Sequence, residues 1–228
     1  MNEKKAEGVQ STRPVVSTVY VVRHAESDAN AGQYFASQSD SKVSPRGREQ
    51  VERLARAFTK TKLHAVYSSD LSRAFDTVEP IARARGLTVR TDVGLRERHM
   101  GALTGKTFDE VKAQMPEVWH RLVARDPHLR PPDGESQFDL GNRVKQTLAR
   151  IVPNHRGESI VIGSHGVTIN HIIRQLLGVY DLETGFWMAV HNASVTRIDL
   201  AETVHGAIAP RLVFANLLFD DDEAGLLG

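Results

Sequence analysis

Short β-branched runs alternate with stretches of helical period along most of the chain, and this alternation restricts the fold more than any other feature. Ser17 to Val22 is apolar and β-branched and reads as a buried strand. Behind Ser44 and Pro45, a good helix start, Val51, Leu54, Ala55 and Phe58 recur at helical spacing over 45–60. A brief strand follows at 65–67. Leu71, Ala74, Phe75, Val78, Ile81 and Ala82 then mark an amphipathic helix ending near Gly86. A third strand is expected at 87–90, a helix at 138–152 and a strand at 159–163. Ile169, Ile172, Ile173 and Leu176 form one more helix, stopped by Gly178, and strands follow at 194–200 and 211–214. Strands alternating with helices predict an α/β fold around a mostly parallel sheet.

The segment 101–133 differs in texture. It is rich in glycine and proline, with two short helical patches at 108–115 and 117–123, and reads as a small helical cap inserted into one domain spanning 17–218. Residues 1–16 read as a flexible N-terminal tail, polar over Met1 to Pro14 and lacking the apolar stretch of a signal peptide, and 219–228 as an acidic, solvated tail. No apolar run approaches the roughly 20 residues of a membrane helix. With 29 basic and 28 acidic residues, the net charge of +1 points to neither a nucleic-acid nor a membrane partner. The chain has no cysteine, which excludes disulfides, thiolate metal sites and a cysteine nucleophile, and fits a cytoplasmic protein. Its 10 histidines contain neither a His-x-x-x-His pair nor a His-Glu-x-x-His helix, so no metal site is expected. Phosphate-binding glycine loops of the P-loop and dinucleotide types are also absent from the sequence.

Ligands of open α/β sheets bind beyond the carboxyl ends of the strands. Arg23, His24, Ala25, Glu26 and Ser27 follow the first expected strand. Ser68 to Arg73 follow the second, Leu95 to Arg98 the third, and Ser164, His165 and Gly166 the strand at 159–163. Each segment taken singly has a plainer reading. His24 could be a buried histidine, Arg73 a helix residue paired with Asp70 or Asp76, and Glu97 part of an ion-pair cluster with Arg96 and Arg98. Trp119 and Trp187 are more commonly packing residues than pocket walls.

Together the four segments resemble, in order, the motifs of the histidine phosphatase superfamily, the phosphoglycerate mutase-like family. Val22 to Ser27 resembles its Arg-His-Gly signature, Ser68 to Ala74 its second arginine segment, Leu95 to Gly101 its acid segment, and Gly163 to Gly166 its second histidine motif. Asn30, Gly47 and the triplet Gly134, Glu135, Ser136 match as well, so the resemblance runs from about Val19 to Leu200. It implies a three-layer α/β/α fold and a phosphomonoesterase that needs no cofactor or metal. His24 would be the nucleophile that forms phosphohistidine, and Glu97 the general acid and base. Arg23, Arg73 and His165 would surround the phosphoryl oxygens, while Asn30, Gly166 and His99 would contact phosphate or substrate.

Alanine at position 25 departs from the family's usual glycine, and so admits a catalytically weakened module that only binds a phosphorylated ligand. A mutase would use the same five residues. The short segment between Glu97 and Glu135, and Ala29 where family mutases typically carry tryptophan, both favour the phosphatase branch. Lys106, Lys112, Arg121, Arg125 and Arg130 in the cap make a second anionic group on the substrate conceivable. The partner is then a small phosphorylated molecule, with homo-oligomerisation left open.

Overall fold

The computed structural model describes residues 15–183, 187–220 and 227. Its strands are β1 (Val16–Arg23), β2 (Ala65–Ser68), β3 (Val89–Thr91), β4 (Ser159–Ser164), β5 (Val195–Glu202) and β6 (Ile208–Leu217). They form one sheet in the order β3-β2-β4-β1-β5-β6. The first four of that order are mutually parallel, while β5 and β6 run antiparallel along one side. The helices are α1 (Asp28–Ala31), α2 (Pro45–Ala57), α3 (Ser72–Arg83), α4 (Phe108–Gln114), α5 (Pro116–Val123), α6 (Gln137–Ile151) and α7 (Gly166–Leu177).

The strand period of two divides each side-chain set between two faces. From β1, Val19 and Val21 join Ile160, Ile162 and Ile198 against Leu140, Val144 and Leu148 of α6 and Ile169, Ile172 and Ile173 of α7. The alternate residues Tyr20 and Val22 join Val66, Val161 and Val195 against Leu54 of α2, Phe58 just beyond it, and Val78 and Ile81 of α3. The result is three layers, α/β/α. Each fully buried aliphatic side chain stabilises the fold by about 1.5–3 kcal/mol. These two apolar layers therefore hold the helices in place far more than helix propensity does.

Local signals set the helix starts. Ser44 accepts a hydrogen bond from the Gly47 N–H at 3.0 Å, with Pro45 as the first helical residue. Ser136 with Asp139, and Thr107 with Glu110, form capping boxes at α6 and α4. A Cβ at Gly47 would lie 2.1 Å from the Glu26 carbonyl oxygen, so only glycine lets α2 approach the loop that follows His24. The helix expected over 45–60 stops at Ala57, because beyond Phe58 the Thr59 N–H turns back onto Arg56, three residues earlier, in a tightened last turn.

The inserted segment carries α4 and α5 and a small core of its own. Met100, Leu103 and Val111 are buried there against Phe35, Trp119 and Leu122. Backbone hydrogen bonds tie it to the chain after α1: Phe35 to Lys106, Gly105 to Phe35, and Phe108 to Gln33. Val16, placed in the N-terminal tail by composition, opens β1, and residues 1–14 lie outside those described. Phe219 and Leu227, assigned by composition to the acidic tail, are buried on the α2 and α3 face, because apolar contact there outweighs the pull of neighbouring acids toward water. Residues 221–226 and 228 lie outside those described.

Candidate active site

The register of β1 on β4 sets the centre of the site. Arg23 lies opposite Ser164, so the next residues of the two parallel strands, His24 and His165, emerge side by side. The His24 N–H donates to the Ser164 carbonyl at 2.9 Å, and the two imidazole centroids are 5.1 Å apart. β2 ends at Ser68 and the first turn of α3 carries Arg73 to the same edge. The short turn Val93–Leu95, after β3, delivers Glu97. Arg23, His24, Arg73 and Glu97 line one cavity of about 380 Å³, together with Asn30.

His24 is held in one tautomer. Its Nδ1 lies 2.7 Å from the Ala25 carbonyl oxygen. A carbonyl can only accept, so Nδ1 carries the proton and Nε2 keeps its lone pair. Burial first, and then the positive charges of Arg23 and Arg73, hold the His24 imidazole well below the ordinary 6.5, which keeps it neutral and nucleophilic. Burial likewise depresses His165, followed by its neighbours His24, Arg73 and Arg23. His165 is wholly buried, and neither of its ring nitrogens has a hydrogen-bond partner; nor has the buried Nε of Arg23. A buried polar atom without a partner costs about 1–3 kcal/mol. His165 does not itself line the cavity, but the one N–H of its neutral ring and the Nε–H of Arg23 are unused donors beside His24 that an anion could engage.

The two guanidinium groups are fixed by backbone carbonyls. Arg73, almost fully buried, donates to Ser39 at 3.0 Å and to Ser37 at 2.8 Å, rather than pairing with Asp70 or Asp76. Ser37 itself adopts a left-handed backbone (φ 53°), which helps turn its carbonyl onto the guanidinium. Arg23 donates to the Val190 carbonyl. Glu97 does not join an ion-pair cluster with its neighbours. Arg96 pairs with Asp70, and Arg98 donates to the carbonyls of Glu135 and Leu129. The Glu97 carboxylate instead accepts from the N–H groups of Arg98, Val167 and Thr168 and from the Thr168 hydroxyl. It therefore sits at the positive end of α7, where backbone donors and the helix dipole favour a negative group.

The family model of the histidine phosphatase superfamily, branch 1, matches residues 19–207. This chain belongs to the histidine phosphatase superfamily. It is 33% identical over 181 residues to a probable phosphoglycerate mutase of Serratia proteamaculans (strain 568), covering 79% of this chain and 84% of that one. To the phosphoglycerate mutase-like protein 4 of Arabidopsis thaliana it is 37% identical over 157 residues, or 68% of each chain. Among solved structures, a mycobacterial glucosyl-3-phosphoglycerate phosphatase superposes with a TM-score of 0.79 at 29% identity, covering 88% of this chain and 99% of that chain.

Against the histidine phosphatase pattern, Ala25 proves structurally harmless. Its φ is not positive, its methyl packs with Val43 and Ala193, and its N–H donates to the Thr77 hydroxyl at 2.9 Å. Asn30 lines the cavity, but its carboxamide oxygen is taken up by Ser27 and by Asn192, so its NH₂ group is what remains to offer an anion. Gly166 does not line the cavity; a Cβ there would lie 3.5 Å from Arg23 Nε, so the guanidinium passes beside this first residue of α7. His99 also lies off the cavity wall, its N–H donating to the Glu135 carboxylate. Glu135 is gripped by both forks of Arg143, which also donates to the carbonyls of Gly94, Arg96 and Glu97. The Glu135 of the Gly-Glu-Ser triplet thus helps anchor the loop that carries Glu97.

Several working residues escape the sequence pattern. Thr168, Thr77, Ser37 and Asn192 hold other site groups; a local signal existed for Asn192, just before a strand beside the sheet edge, and for Thr168, at the third residue of a helix that starts beside His165. Trp119 and Trp187 both line the cavity. Of the five basic cap residues, Arg125 alone does so; Arg121 pairs with Asp126 and Arg130 with Asp139.

Proposed function

We propose that this chain hydrolyses phosphate monoesters through a phosphohistidine on His24. The observation that carries this reading is the neutral His24, its Nδ1 fixed by Ala25, beside unpartnered donors of Arg23 and His165. The phosphoryl group sits among Arg23, Arg73 and His165, whose donors stabilise the charge on its equatorial oxygens. His24 Nε2 attacks phosphorus, the P–O ester bond breaks, and Glu97, its carboxylate having taken a proton from the entering monoanionic ester, gives that proton to the departing alcohol oxygen. Water then attacks the phosphohistidine. Glu97 recovers a proton from that water, the P–N bond breaks, and inorganic phosphate leaves. Each step uses only arginine, histidine and glutamate side chains of this site.

Turnover of p-nitrophenyl phosphate with and without EDTA tests the reading, for wild type, His24→Ala and Glu97→Gln. EDTA-resistant turnover that His24→Ala abolishes is the expected result. Glu97→Gln should slow alkyl phosphates far more than p-nitrophenyl phosphate, because nitrophenolate leaves without a proton. Turnover equal to that of His24→Ala would refute the proposal. The names of the curated relatives favour a second reading, phosphoryl return to another hydroxyl as in a phosphoglycerate mutase. Interconversion of 2- and 3-phosphoglycerate faster than phosphate release would establish it.

A further inference from the structure

The phosphate-binding groups occupy only the inner end of the cavity. The outer wall is built by Phe35, Phe108, Trp119, Leu122, Val123 and Trp187. Phe35 packs on Phe108 with centroids 4.8 Å apart, and Phe108 faces Trp119 at 6.3 Å, which makes a continuous aromatic surface. Part of it stays open to solvent: Phe108 is 37% exposed and Val123 63% exposed. Open apolar surface on a concave site with a few convergent polar groups is the usual make-up of a ligand pocket.

Charge is scarce on that wall. Arg98 reaches the cavity, but its Nε and Nη2 donate to the backbone carbonyls of Glu135 and Leu129. Arg125 is exposed at the rim, its guanidinium 5.6 Å from the Trp187 ring centroid. A single exposed cation gives a second anion little, since solvent and salt screen it.

We propose that the site selects phosphate monoesters whose alcohol carries a bulky apolar or aromatic group, seated between Phe108, Trp119 and Trp187, over esters bearing a second carboxylate or phosphate. This names the substrate class of the phosphatase reading and rests on that reading for its phosphate end. The apolar part would be desolvated on the wall, whereas a carboxylate there would lose its hydration with no built partner.

Calorimetry with two non-hydrolysable probes, 3-phenylpropylphosphonate and 3-phosphonopropionate, measures the preference directly. Wild type is expected to bind the phenyl compound at least about 10-fold more tightly, the scale on which apolar pockets discriminate. Trp119→Ala should remove most of that ratio. Val123→Lys, at an exposed position that folding tolerates, should raise the affinity for 3-phosphonopropionate. Equal binding of the two probes, or tighter binding of the carboxylate, would overturn the inference. Hydrolysis of 2-phenylethyl phosphate and 3-phosphoglycerate, both primary alkyl esters, separates the two claims. Phosphonate preference without hydrolysis of either ester upholds this inference and defeats the phosphatase reading. Equal hydrolysis of both esters with no phosphonate preference does the reverse.

Discussion

The inner and outer ends of the cavity are built on different terms. At the inner end, His24 and His165 leave adjacent parallel strands, and Arg73 is tied by two carbonyls, so every group is positioned by sheet register or backbone hydrogen bonds. At the outer end the cap stands on a small apolar cluster and a few backbone links to the chain after α1. A phosphoryl group needs fixed donors, because electrostatic stabilisation works only when preorganised. Recognition of an alcohol needs mainly shape and dryness. On the proposed reading, chemistry falls to the rigid sheet edge and selectivity to an insertion that can change without disturbing it.

The contrast breaks most sharply at His24. His24→Ala should lower turnover by about 10³-fold or more while the thermal midpoint changes little, as paired kinetics and calorimetry would show. Arg73→Ala should cost about 10²–10³-fold in kcat/KM. It should also raise the His24 pKa, since a depressing cation is gone, and NMR titration of the imidazole would reveal the shift. If neither change occurs, the inner end is less preorganised than its hydrogen bonds indicate.

Stability should divide along the same line. His171, buried under Trp187 and bonded to Gln137 at 2.8 Å, is depressed to about 3, mainly by burial. Its folded pKa is below the unfolded 6.5, so between those values the unfolded chain binds a proton that the folded chain does not. Stability should therefore be complete above pH 6.5 and fall as pH drops toward about 3, with a slope of up to about 1.4 kcal/mol per pH unit from this residue. Urea denaturation across that range checks it, and His171→Asn should flatten the slope. Arg143→Ala, which frees the Glu97 loop, should cost about 1–3 kcal/mol of stability and also slow turnover of alkyl esters. The smallest effect is expected from Phe108→Ala, a partly exposed cap residue. It should shift stability by under about 1 kcal/mol yet raise KM for bulky esters several-fold. A large loss of stability there would mean that the cap is part of the main fold.

The strand and helix order, and five residues whose side chains converge on one edge, were legible because sheet period and strand-end position are local properties. His24, Arg23 and His165 each directly follow or close a strand, so knowing the strands nearly locates them. Glu97 was legible only through its resemblance, since its alternative partners Arg96 and Arg98 lie next to it in sequence. The tertiary structure alone decided that Arg96 turns to Asp70 and Arg98 to backbone carbonyls, leaving Glu97 to the first turn of α7. It alone showed that Ala25 needs no glycine, that His99 stands off the wall, and that the cap turns aromatic rings rather than lysines toward the cavity. Periodicity along the chain records which residues are buried; which distant groups they meet depends on long-range packing, and no local pattern encodes that.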